Sequence, residues 1–267
     1  MAELRGKVAL VVGASRGVGL AYSLALSRAG VRVAAAARTV APPTGEAQAA
    51  GGLAGLVATA ADEGGEVVAV RCDVEHEDDV IRLVDQTLAT FGRIDIVVNN
   101  AGVYPHFDAL QVPLDQWNRI MRVNLTGPYL VIRHAAPHMA ARRSGSIINI
   151  TSRSARATRR GTPAHTGLLT YGVSKAALDR LTTFLAAELY PFGIAVNALS
   201  PGGVLTETWR QVAPEDFASA ERAGTAKAPL PELLGPALLY LAGQSAQTMT
   251  GKILHTDEFG KSWPAGG

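Results

Sequence analysis

Short apolar runs punctuate the chain at positions 8–12, 31–37, 67–70, 94–98, 147–150 and 194–199, with a last one at 253–254. Each is too short for a helix and too continuous for a strand with one wet face, so each predicts a parallel strand covered on both faces. Between them, apolar positions recur at helical spacing over 20–29, 80–90, 114–141, 171–190 and 231–242, with a shorter segment at 56–63. Strand and helix alternate from end to end, which predicts one doubly wound α/β domain over residues 1–267, with a parallel sheet of seven strands. Positions 39–55 break the rhythm. They are rich in Ala, Gly and Pro and contain Pro42-Pro43, which reads as a flexible insertion after a first strand–helix–strand unit at 5–38.

Composition narrows the function. Of 267 residues, 48% are hydrophobic and 18% charged, enough for one large core. Lys and Arg total 25 against 23 Asp and Glu, so no electrostatic case exists for a nucleic acid or an anionic membrane as partner. Cys72 stands alone, which excludes an intramolecular disulfide or a cysteine zinc site and suits a reducing compartment. Glycines interrupt the first apolar run before it reaches signal-peptide or membrane length, so a cytoplasmic protein is expected. Only His134 and His138 share a helical spacing; without an adjacent Glu motif they read as surface histidines, and no metal is expected.

The first strand runs into Gly13-Ala14-Ser15-Arg16-Gly17-Val18-Gly19, and a helix follows. Glycines permit positive φ and close approach of a pyrophosphate, while the helix N-terminus offers free N–H groups and partial positive charge. A tight structural turn is the competing reading; the position between strand one and helix favours a dinucleotide. At the end of strand two, where an acidic residue would bind the adenosine ribose hydroxyls, the chain reads Ala37-Arg38-Thr39. No carboxylate stands there, and Arg38 with Arg16 offers two cations to a 2′-phosphate, so NADP(H) is expected over NAD(H).

Tyr171 and Lys175 stand four apart, hence on one helical face. A free phenol titrates at about 10; Lys175 and an oxidised nicotinamide would lower that, and a drop to about 7 needs roughly 4 kcal/mol. Thr151-Ser152 ends the fifth strand, whose carboxyl end shares a crevice with the phosphate loop, so Ser152 can reach a carbonyl beside Tyr171. In the helix at 114–141, Pro128 has no N–H for the Asn124 carbonyl four residues earlier. That carbonyl is expected to be free; a simple bend in a long helix is the alternative.

The sequence GASRGVG, the Asn99-Asn100-Ala101-Gly102 segment, the Tyr171-x3-Lys175 pair and Ser200-Pro201-Gly202 resemble the short-chain dehydrogenase/reductase family, in order and over nearly the whole chain. The resemblance implies a Rossmann-type fold and hydride transfer between a nicotinamide and a carbonyl or alcohol. It places the adenosine phosphates and ribose along the glycine loop, the adenine at Asp73-Val74, and more of the cofactor along Asn100, Ala101 and Gly102. Asn99 itself reads as structural. It makes Ser152 the group that polarises the carbonyl and Tyr171 the proton donor and acceptor. Lys175 would also hold the nicotinamide ribose, and Asn124 a water continuing the proton chain. Pro201, Gly202, Val204 and Thr206 would meet the nicotinamide carboxamide or a phosphate. Family members commonly form tetramers, so a homo-oligomer, tetramer or dimer, is expected.

The substrate is less legible. The pocket is expected from 103–107, 153–170 and a lid at 207–228, with Tyr104, His106, Arg153 and Trp209 as candidate contacts. Nineteen positions separate Ser152 from Tyr171, longer than is usual in the family, and the extra length carries Arg153, Arg156, Arg159, Arg160 and His165. These form either an anion-binding rim or, the favoured reading, a solvated or subunit-contacting loop. The leading expectation is an NADPH-dependent carbonyl reductase with a small-molecule ketone or alcohol as substrate. A 3-oxoacyl thioester reductase and a catalytically silent NADP(H)-binding regulator are the alternatives. Asp257-Glu258-Phe259-Gly260 departs from the Asp-Gly-Gly frequent in the family.

Overall fold

The apolar runs become the strands of one sheet. A computed structural model describes residues 4–40, 52–104, 107–156 and 167–264. The strands are β1 (Val8–Val12), β2 (Arg32–Ala37), β3 (Val67–Arg71), β4 (Ile96–Asn99), β5 (Gly145–Ile150), β6 (Ile194–Ser200) and β7 (Ile253–His255). All pair in parallel, in the order β3-β2-β1-β4-β5-β6-β7. Every residue of β1, β4, β5 and β6 is buried, whereas β3 and β7, at the two edges, are buried only in part. Burial on both faces explains why the runs lack a two-residue alternation.

Helices cover both faces. They are α1 (Gly17–Arg28), α2 (Gly52–Asp62), α3 (Glu77–Phe91), α4 (Leu114–Met121), α5 (Gly127–Ala141), α6 (Leu169–Leu189), α7 (Glu207–Val212), α8 (Pro214–Ala223) and α9 (Pro231–Ala242). One core unites Ala9, Val11, Ile148, Ile150 and Leu199 with Leu234, Leu238 and Leu241 of α9. The opposite core joins Leu10, Ile147 and Val196 to Val131, Ala135 and Met139 of α5. Alternate residues of each strand thus feed opposite cores.

Two expectations change. The helix over 114–141 is broken: a π-helical turn, Arg122–Thr126, separates α4 from α5. Pro128 sits in the first turn of α5, where its missing N–H costs least; the widened turn is how the helix passes that proline. The segment at 39–55 is shorter than expected, because α2 begins at Gly52 rather than at position 56. Residues 41–51 of it lie outside the described residues, as do His106 and the insertion residues Arg159, Arg160 and His165.

The sheet switches direction of growth between β1 and β4, and the two strand ends there are bolted together. Asn100 Nδ2 donates to the Gly13 carbonyl at 2.8 Å. A Cβ on Gly13 (φ +81°) would lie 2.7 Å from the Ala101 backbone, and one on Gly19 would lie 2.1 Å from the Gly13 carbonyl oxygen. Gly19 therefore allows α1 to pack on the strand end. Gly19→Ala is expected to cost about 2 kcal/mol by overpacking, lowering the thermal midpoint by about 4–8 °C in scanning calorimetry. An unchanged midpoint would show that the junction relaxes freely.

Candidate active site

The carboxyl ends of β1, β2 and β4 open into a cleft of about 840 Å³. Ser15, Arg16, Gly17 and Val18 line it beside Arg38, Thr39, Asp73, Val74 and the segment from Asn100 to Tyr104, with Thr206 opposite. Arg16, the residue before α1, is extended and caps no N–H with its side chain, and the first turn of α1 holds no acidic residue. Backbone donors at a positive helix end, beside small residues and two exposed arginines, suit a dinucleotide phosphate chain.

Other expected contacts lie outside this cleft's lining. Gly19 packs behind the loop against Gly13. Val204 is buried in the core, and its segment is tied to the strand-like Lys227 by Lys227 N–H to the Gly203 carbonyl at 2.9 Å. Pro201 and Gly202 are not part of the lining either. Thr206 caps α7, its hydroxyl oxygen accepting from Trp209 N–H at 3.2 Å, which leaves its O–H to donate elsewhere. Cys72 and Gln211 line the cleft unannounced by any motif. Burial among apolar side chains pushes the Cys72 thiol up to about 12, so it is an inert wall.

Asp73 earns its place through the backbone. Its N–H donates to Asp79 Oδ2 at 2.9 Å, and its own carboxylate accepts from Glu75 N–H at 3.1 Å, fixing the turn after β3. Asp79, in turn flanked by Arg71 and Arg82, is held below the usual carboxylate range, chiefly by that Asp73 N–H.

Three asparagines assemble the reacting centre. Asn99 donates to Asn149 Oδ1 at 2.9 Å, and Asn149 donates to Thr182 on α6 at 2.9 Å, so β4, β5 and α6 are joined by one buried chain. Asn99 is thus structural, as its position suggested. Asn124, fully buried in the π-helical turn, clamps Val103 from both sides: Oδ1 accepts from its N–H and Nδ2 donates to its carbonyl, each at 2.9 Å. Its Nδ2 also reaches Ser174 Oγ at 3.0 Å, and Ser174 donates to the Tyr171 carbonyl at 2.8 Å. The side chain of Asn124 therefore ties the cleft wall to the helix that carries the phenol.

Ser152 begins a 3-10 turn, Arg153–Ala155, and accepts from Ser154 N–H at 3.2 Å. A Cβ on Gly172 would lie 2.9 Å from the Ser154 carbonyl oxygen, so the glycine inside Tyr171-Gly172-Val173-Ser174-Lys175 lets this turn sit against α6. Ser152 thereby comes beside Tyr171. Burial pushes the Tyr171 phenol up to about 12, against the lowering effect of the Ser152 hydroxyl, and the Tyr104 phenol adds to the rise. The Tyr104 and Tyr171 rings lie 5.5 Å apart.

In this structure burial, not Lys175, dominates the Tyr171 phenol. The Lys175 ammonium lies 5.8 Å from the Tyr171 ring centroid and donates to the Ile150 carbonyl at 2.7 Å. Its own value is lowered to about 8 by burial. Both groups are pushed toward their neutral forms by the same desolvation.

The remaining candidates separate. Trp209 packs edge-on against Phe217 at 5.9 Å, joining α7 to α8. Arg153 pairs with Asp257, and Arg156 with Glu258 at 3.6 Å. The two described arginines of the insertion are therefore engaged by the unusual Asp257-Glu258 sequence. His134 meets Glu77 of α3 at 2.8 Å, a partner its own helix did not reveal. Among the described residues, no group of three His, Cys, Asp or Glu side chains could hold a metal, and no helix is long and apolar enough to cross a membrane.

Comparison with known proteins agrees with this arrangement. The profile of the short chain dehydrogenase family matches residues 7–216. A 3-oxoacyl-[acyl-carrier-protein] reductase of Synechocystis is 33% identical over 96% of this chain and 98% of its own length. Versicolorin reductase 1 of Dothistroma septosporum is 31% identical over 96% of each. Among solved structures, a short-chain type dehydrogenase/reductase from Mycobacterium marinum superposes with a TM-score of 0.80 at 35% identity, covering 95% of this chain and 94% of that one. A metagenomic short-chain oxidoreductase in complex with NADP gives 0.72 at 30% identity, covering 95% and 98%. The chain belongs to the short-chain dehydrogenase/reductase family, and it is an NAD(P)-dependent oxidoreductase of that family.

Burying Lys175 as an ammonium destabilises the fold. With its value at about 8, below that of an unfolded lysine at about 10.4, the cost is fully present below pH 8 and is relieved as pH rises toward 10.4. Lys175→Met is expected to gain about 1–3 kcal/mol at pH 7 by urea denaturation, a gain that shrinks between pH 8 and 10. A gain independent of pH would point to packing instead.

Proposed function

We propose that this protein is an NADPH-dependent carbonyl reductase that interconverts a small-molecule ketone and a secondary alcohol, with Tyr171 as general acid and base. The carrying observation is the meeting of Ser152, Tyr171 and Lys175 beside a cleft lined by Arg38, just past β2, and by Arg16, just before α1, with no carboxylate at 37–39. Bound NADPH would supply the hydride, its phosphates held by the loop from Ser15 to Val18 and its 2′-phosphate by the two arginines.

In reduction, the Ser152 hydroxyl donates to the carbonyl oxygen, and the Tyr171 phenol passes its proton to that oxygen as negative charge develops there. A phenol held protonated up to about 12 is the correct form for this step. Lys175, poised at about 8, carries the positive charge that stabilises the resulting phenolate and can pass on a proton to restore it. Asn124 keeps Val103 and α6 in register with the cleft. In oxidation the same phenol must start ionised, a form that Lys175 and a bound oxidised nicotinamide would favour.

The name of the Synechocystis relative supports a second reading, reduction of a 3-oxoacyl thioester. The pairing of Arg153 and Arg156 with Asp257 and Glu258 weakens it, since those arginines are then not open for an acidic carrier. A silent NADP(H)-binding regulator would have no use for the phenol.

Loss of NADPH absorbance across a panel of ketones and oxoacyl thioesters separates these readings. Tyr171→Phe is expected to lower kcat about a thousandfold while leaving NADPH affinity intact; normal turnover by this variant would refute the mechanism. Arg38→Asp is expected to lower kcat/KM with NADPH by about 10- to 100-fold, the loss of one charge-assisted phosphate contact. Equal or better efficiency of the unaltered enzyme with NADH would overturn the cofactor assignment.

A further inference from the structure

A buried polar patch that the mechanism above leaves unused lies under α6. Strand register builds it. Ile150 is opposite Leu199, and Ser200 is opposite His255. Thr151 N–H donates to the Leu199 carbonyl at 3.0 Å, so Thr151 extends the same ladder opposite Ser200. Thr151, Ser200 and His255 therefore form one rung across three adjacent parallel strands. Ile150, Leu199 and Leu254 point into the core beneath α1 and α9. By the two-residue alternation of a strand, the rung points the other way, toward α6, as Asn149 does when it bonds Thr182.

Asp179 descends from α6 onto this rung. It follows Lys175 by one helical turn and so shares its face. Four buried side-chain atoms of the rung and of Asp179 have no hydrogen-bond partner: Thr151 Oγ1, Asp179 Oδ1, Ser200 Oγ and His255 Nδ1. Thr151 and Asp179 lie close enough to act on one another without reaching hydrogen-bond geometry. Each unsatisfied buried polar group costs about 1–3 kcal/mol, so four together under the catalytic helix call for a role beyond packing.

We propose that Asp179 is a positioning residue for Lys175: it is the counter-charge of the buried ammonium, seated by Thr151 at the inner end of the Thr151–Ser200–His255 rung. The ammonium donates to the Ile150 carbonyl at 2.7 Å, while the Asp179 carboxylate, one turn along on the same face and beyond ion-pair distance, acts on it through space. The attraction is mutual, favouring the charged form of Lys175 and of Asp179 against the burial that opposes both. The charged and titratable groups around the pair are few. Tyr171 lies on the same helix, and Arg156, beyond the 3-10 turn, acts on Asp179. His255, on β7, is held neutral by burial and by Arg156 and Arg153, against Glu258 and Asp257. The π-helical turn packed on α6 presents the uncharged amide of Asn124.

This role rests on the carbonyl reductase reading only for its consequence in turnover; the lysine itself can be watched directly. The chain has five lysines, so in full-length protein labelled with [13Cε]lysine the Lys175 signal is assigned by its loss in Lys175→Arg. Its titration midpoint is expected to fall by about one pH unit in Asp179→Asn and to return in Asp179→Glu. Thr151→Val, which loosens the carboxylate without removing it, is expected to move the midpoint the same way by less, and serves if Asp179→Asn does not fold. In turnover, the alkaline limb of the kcat/KM profile for ketone reduction moves down with the midpoint, whereas a structural defect lowers the profile at every pH. An unchanged Lys175 midpoint in the folded variants overturns the proposal. Absent ketone turnover with a shifted midpoint would instead overturn the reductase reading and leave the pairing standing.

Discussion

Everything at the functional end of this molecule depends on how closely two strand ends can approach. β1 and β4 are neighbours in the sheet, yet the chain leaves them toward opposite sides, and the crevice between them is where a ligand can enter. The Asn100 amide bonded to the Gly13 carbonyl closes the base of that crevice. Gly13 and Gly19 make the bond possible, because a side chain on either would occupy the space of the opposing backbone. Once they are absent, the N-terminus of α1 is delivered to the crevice with its first-turn donors uncapped by any side chain. The same few contacts thus fix the strand junction and shape the mouth of the cleft.

A second set of ties carries that precision to the reacting groups. The line Asn99, Asn149, Thr182 crosses two strands to α6, and the line Val103, Asn124, Ser174 reaches the same helix from the cleft wall. A buried amide bonded on several sides, as Asn124 is, costs little and is hard to displace, since losing one partner strands the others. α6 is therefore anchored at both ends of its catalytic stretch, Asn124 acting beside Tyr171 and Asn149 two turns beyond Lys175. Hydrophobic packing alone would leave the helix free to slide; the amides set its register.

The fold was legible because both faces of the sheet are covered: continuous apolar runs with helical segments between them admit few other arrangements. The glycine loop, Ser152, Tyr171, Lys175 and Asn124 were legible because their spacing forms recognisable motifs. What escaped reading depended on contacts between distant segments. No local pattern in 114–141 announces a π-helical turn, although Pro128 marks the place where one is needed. Arg153 read as a substrate contact because its partner, Asp257, is 104 positions away. Asp179 belongs to no sequence motif, and only the register of β5, β6 and β7 shows what lies beneath it.

The ionisation states show why sequence spacing was insufficient at the centre itself. Placing a lysine four residues from a tyrosine suggests that the ammonium lowers the phenol, but desolvation acts on both at once and drives each toward neutrality. The ammonium is also bonded elsewhere, to the Ile150 carbonyl at 2.7 Å. The consequence is a phenol that keeps its proton across the neutral range and a lysine whose charge is only lightly held. Such a pair is suited to giving a proton when negative charge appears beside it, and it is reluctant to take one beforehand. Burial, more than the spacing of the two side chains, sets these ionisation states.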